Sequence, residues 1–123
     1  MKKMLMIAAA AAALMFNAAQ AHGPAAAKHG GTVASASDLG FELVGQPEGA
    51  MLYIEDHGKP VATQGATGKL TVLSGADKSE VDLQPAGDNK LEAKGVKLAA
   101  GTKAVAAVTL PTKKVVTVRF TVK

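Results

Sequence analysis

Apolar and polar residues alternate with a period of two along most of this chain, the pattern of strands with one dry and one wet face. Residues 114–122 show it most clearly: Val116, Val118, Phe120 and Val122 share one face, while Thr117, Arg119 and Thr121 share the other. Residues 79–83 repeat it in acidic form, with Val81 and Leu83 set against Glu80 and Asp82. In residues 69–73, Leu70 and Val72 alternate with Thr71 and Leu73, which predicts a strand covered on both faces. Further β-type runs fall at 32–35, 40–44, 50–55, 60–63, 90–93 and 103–110, separated by glycine, proline, asparagine or aspartate. One helical turn fits residues 96–100, but Gly95 and Gly101 bracket it. About eight short strands with turns every 8–12 residues predict an all-β fold, an antiparallel β-sandwich of immunoglobulin-like type.

Residues 50–61 organise the rest. Leu52 and Ile54 point to one face of a strand, and Met51, Tyr53 and Glu55 to the other. The polar stretch Asp56-His57-Gly58-Lys59-Pro60 then reverses the chain, because Gly58 takes positive φ without steric cost and Pro60 holds Lys59 extended.

The beginning of the chain follows another rule. Lys2 and Lys3 precede an apolar, alanine-rich run from Met4 to Phe16, and Ala19-Gln20-Ala21 has the small-x-small form of a cleavage site. Residues 1–21 therefore read as a cleavable signal peptide, too short in its apolar part for a membrane span, which needs roughly 20 residues. Residues 22–31 carry no alternation and predict a flexible arm, leaving 32–123 as a single β domain. Cleavage after Ala21 lowers the formal charge from +4 to +2, since two lysines leave with the signal. So weak a basic balance, with an export signal, argues against a nucleic-acid partner. The chain has no cysteine, so an exported domain of this size rests on its core without disulfides. No nucleophile elbow, phosphate loop or paired catalytic acids occur, and an enzyme is not expected.

The remaining chemistry lies in three histidines and one methionine. A chain starting at His22 presents an α-amine beside an imidazole, a chelate for Cu(II) that a distant His29 or His57 would complete. Pro24 lacks an amide proton, which stops binding through successive backbone amides and favours a distant ligand. A second geometry places Met51, Glu55 and His57 on one strand face, where a thioether and an imidazole suit Cu(I) or Ag(I). The plain alternative makes His22 and His29 solvated arm residues, His57 a turn residue and Met51 packing against Tyr53. The candidate metal ligands are thus His29, His57, His22 and Met51, for copper or another transition-metal ion.

Four segments carry a resemblance: Lys28-His29-Gly30-Gly31-Thr32-Val33, the run from Phe41 to Val44, that from Leu52 to Val61, and that from Gly65 to Leu73. Together they resemble small periplasmic proteins similar to a domain of the adaptor subunits of heavy-metal resistance-nodulation-division efflux systems. The resemblance implies a periplasmic β-sandwich linked to copper, silver or cobalt–zinc–cadmium handling, an efflux adaptor as partner, and His29 and His57 as ligands. The tryptophan and multiple methionines of small copper chaperones with a cation–π-capped site are missing, so that mechanism is not expected. By architecture alone, an exported sandwich starting at histidine is also similar to periplasmic copper carriers, whose acid-x-histidine pair Glu55-Asp56-His57 echoes. The alternative function is a metal-free structural or interaction module that adds its sheet edge or arm to an adaptor.

Overall fold

The structure, a computed structural model, describes residues 26–123. The expected signal peptide, His22 and the first residues of the arm lie outside them. Among the described residues nine strands follow one another: β1 (Thr32–Ala36), β2 (Leu39–Gln46), β3 (Gly49–Asp56), β4 (Lys59–Pro60), β5 (Thr67–Ser74), β6 (Asp77–Pro85), β7 (Lys90–Lys94), β8 (Lys103–Thr109) and β9 (Val115–Thr121). Every pairing is antiparallel, in the order β1-β2-β3-β7-β6-β5-β8-β9, with β4 a short annex to β3. Strands β5, β6 and β7 form a meander and β8 returns beside β5, which is the Greek-key arrangement.

The all-β antiparallel fold read from the sequence is the one observed, with its two layers made from one curled sheet. They join where β6 hands over from β5 to β7, through Gln84 opposite Glu92 and Pro85 opposite Leu91. The far ends of the sheet nearly meet as a barrel, and the Lys123 backbone N–H donates to Thr32 Oγ1 at 3.2 Å.

Alternation places the core. Phe41 and Leu43 of β2, Leu52 and Ile54 of β3, Leu70 and Val72 of β5, Leu83, Leu91 and Val108 all point inward and are buried. So are Val116, Val118 and Phe120 of β9, while Thr117, Arg119 and Thr121 face water. Such large side chains each contribute about 1.5–3 kcal/mol when fully buried.

Three local expectations change. Strand β5 is dry on one face only: Thr71 is half-buried and Leu73 exposed, because among the described residues no second layer covers its outer side. The strand expected at 60–63 ends at Pro60, and the chain turns inward. There Thr63 Oγ1 donates to the Lys90 carbonyl at 2.8 Å, and the Thr63 N–H donates to that of Asp88 at 3.1 Å. Residues 96–100 form no helix; Thr102 N–H closes a turn onto the Ala99 carbonyl instead.

Candidate functional site

The outer face of β2 and β3 holds the densest polar cluster in the described chain. Cross-strand pairing sets Glu42 of β2 opposite Tyr53 of β3, and Gly40 opposite Glu55. Side chains on these paired positions share a face, so Glu42, Tyr53 and Glu55 project together away from the core. Yet the Glu42 side chain is only 7% exposed. Residues 28–31 cover it.

That segment, expected as part of a flexible arm, is fastened to the sheet by the Glu42 carboxylate. Backbone N–H groups of Lys28, His29 and Gly31 donate to its two oxygens at 3.0, 2.8 and 2.8 Å. The His29 ring adds a fourth bond, Nδ1 to Oε1 at 3.0 Å. Two glycines make the wrap geometrically possible. Gly30 takes φ 74°, and a Cβ on Gly31 would collide with the Leu43 carbonyl oxygen and press on Val44 Cγ2 at 2.8 Å. The His29-Gly30-Gly31 wrap is thus hydrogen-bonded to the domain expected at 32–123.

Two further contacts complete the cluster. The His29 imidazole stacks on Tyr53 with ring centroids 3.7 Å apart and planes inclined by 6°. Lys28 Nζ reaches Glu55 Oε2 at 2.7 Å. Between the wrap and the sheet lies a pocket of about 20 Å³ beside Ala26, Phe41, Glu42 and Tyr53, room for about one water.

Electrostatics fix the tautomer. Burial pushes the Glu42 carboxyl up, but the hydrogen bonds from the His29 ring and from the Gly31, Lys28 and His29 amides outweigh it, holding it down at about 2. Glu42 is thus ionised at neutral pH and can only accept, so His29 Nδ1 carries the donated proton. In the neutral ring the lone pair then belongs to Nε2, which has no hydrogen-bond partner among the described residues. The His29 side chain is 40% exposed. A carboxylate on one ring nitrogen and an open lone pair on the other is the arrangement that orients metal-binding histidines.

Of the other predicted ligands in the described residues, neither His57 nor Met51 is hydrogen-bonded into this cluster. His57 sits in the β3–β4 turn with φ 52°, followed by Gly58 at 84°, a two-residue reversal of the type usually built from Asn-Gly. Its Nδ1 is bonded to Asp56 Oδ1 at 2.6 Å, and its side chain is 82% exposed. Among the described residues no hydrogen bond joins His57 to the His29 cluster. Met51 is half-buried on the same outer face as Tyr53, between Val44 and Glu92 on the neighbouring strands. Among the described residues no three histidine, aspartate or glutamate side chains gather as a metal-holding group. His22 lies outside them.

Glu42 was not among the sequence candidates, although its signal was present. An acid between Phe41 and Leu43 on a strand next to Tyr53 is flanked by core, and a buried carboxylate must find donors. Its nearest unassigned donors were the amides of the glycine-rich segment before β1. No protein-family profile, curated protein or solved structure matches this chain.

Proposed function

We propose that this protein is a periplasmic accessory protein that binds a transition-metal ion, copper or silver first among them, in connection with metal efflux or resistance. His29 is its principal ligand. One observation carries the reading: Glu42 and Tyr53 hold the His29 ring in a fixed tautomer and leave Nε2 open. Neutral imidazole is the metal-binding form, and a carboxylate on its other nitrogen sets the tautomer and the ring orientation. A single anchored histidine gives a low ligand count, which suits transient binding and ligand exchange with an efflux adaptor. Met51, on the same face, is the nearest soft donor in strand register, and a thioether with an imidazole favours Cu(I) or Ag(I) over harder ions. His57 and His22 are the further candidate ligands.

The experiment is native mass spectrometry of protein recovered from the periplasm, with and without one equivalent of copper or silver. The apo mass locates the start of the mature chain. A one-metal adduct lost in His29→Ala and weakened in Glu42→Gln is the expected result. No adduct above that of the His29→Ala variant overturns the reading.

The bonding of His57 to Asp56 at an exposed turn, rather than to the His29 cluster, favours the second reading. In it the protein is a metal-free interaction module for a periplasmic adaptor, and a pull-down that survives both substitutions in chelator supports it.

A further inference from the structure

Strand β6 pairs with β5 along nearly its whole length, from Gly68 opposite Leu83 to Ser74 opposite Asp77. On its other side it meets β7 only at Gln84 and Pro85. The β5–β6 turn determines which backbone groups face that open side. Gly75, at φ 62°, and Ala76 form a two-residue reversal, which makes Ser74 and Asp77 a hydrogen-bonded pair. By alternation Asp77, Ser79, Val81 and Leu83 direct their N–H and C=O groups at β5. Lys78, Glu80 and Asp82 direct theirs away, and among the described residues no strand lies beside them. Their side chains stand exposed on the outer face. Glu80 is steadied there by Thr71 Oγ1 at 3.5 Å, and Asp82 is already engaged by Lys69 Nζ at 3.0 Å.

We propose that this edge pairs with the same edge of a second copy of the chain, in an antiparallel register that sets Lys78 opposite the second copy's Glu80. A two-fold axis at Ser79 makes the contact reciprocal, giving two cross-strand ion pairs and about four backbone hydrogen bonds. Other registers fail on charge or on space. Sliding one way sets Lys78 against Lys78. Sliding the other way sets Glu80 against Glu80 and drives the β5–β6 tip onto Gln84, where β7 already lies. The chosen register stops the tip at Asp82, in the wedge bounded by Glu92 and Lys94. Charged residues on an edge usually repel strand addition; here their order along the strand makes the edge complementary to itself. This pairing is independent of metal binding.

Sedimentation velocity of the full mature chain across a range of protein concentrations at low salt tests it. The wild type forms a dimer that weakens as salt rises. Lys78→Glu or Glu80→Lys alone weakens association about tenfold or more, because symmetry counts each change twice. The double exchange restores it to within about threefold, since opposite charges face each other again. Glu80→Pro also abolishes the dimer; its N–H faces the open side, so no internal backbone hydrogen bond is lost. Circular dichroism confirms that each variant is folded. A wild type monomeric at every concentration, a dimer indifferent to the single exchanges, or a double exchange that restores nothing overturns the proposal.

Discussion

Replacing Glu42 with glutamine keeps the size of the side chain and removes the charge that holds residues 28–31. The wild-type carboxyl lies at about 2 rather than at its ordinary 4.5, so the folded state favours the ionised form. At 1.36 kcal/mol per pH unit that difference is about 3 kcal/mol. Water reaching the half-exposed His29 ring reduces it to about 2 kcal/mol, in line with a group of charge-assisted hydrogen bonds. The loss cannot exceed the free energy of fastening the wrap, since the wrap can lift while the sheet stays folded. Two readouts separate these events. In hydrogen exchange, the amides of Lys28, His29 and Gly31 lose about thirtyfold of their protection in Glu42→Gln. In thermal melting at pH 7, the midpoint falls by up to about 10 °C, at roughly 5 °C per kcal/mol for a domain of this size. The pH profile has a definite sign. A carboxyl depressed by folding stabilises fully above its unfolded value near 4.5, and that contribution fades as pH falls toward 2. Wild type therefore loses stability between pH 4.5 and 2, and the glutamine variant loses less over the same window. Unchanged amide protection together with an unchanged acid profile would mean that the Glu42 charge does not hold the wrap.

Other substitutions probe single contacts. Gly31→Ala drives a Cβ into the Leu43 carbonyl, so it should release the wrap and cost about 1–3 kcal/mol by melting, with β2–β3 cross-peaks retained by NMR. Tyr53→Leu keeps an apolar outer position but removes the ring under His29; it should weaken the wrap by about 1 kcal/mol by hydrogen exchange and leave the core intact. His57→Asn suits a positive-φ turn better than histidine and should leave the melting midpoint level or raise it by a few degrees. A fall of several degrees would mean that His57 has a structural partner beyond Asp56.

Period-two alternation made the fold legible because most strands have one buried face, and slipping the register by one residue would expose that whole face. The 116-118-120 series and the 52-54 pair carry this directly. Strand 60–63 failed because its end depends on a tertiary capture: Thr63 bonds to carbonyls at 88 and 90, more than twenty residues away. The site was half legible. His29 stood out by type, and His29-Gly30-Gly31 by composition, but a glycine-rich run reads as loose until its acceptor is known. That acceptor, Glu42, lies 11 to 14 residues downstream and looked like one more polar position on a strand. His57, conspicuous in sequence beside two acids, is held by its neighbour Asp56 at an exposed turn.

In the proposed function His29 keeps its Nδ1 proton on Glu42 and offers Nε2 to a metal ion. Nitrogen-15 NMR of the histidine rings tests it most directly, during titration of the mature chain with silver as a diamagnetic stand-in for Cu(I). The expected result is a protonated His29 Nδ1 before addition and throughout, and a large shift confined to Nε2 as one equivalent binds. A His29 ring with its proton on Nε2, or one unmoved while silver binds elsewhere or not at all, would contradict it.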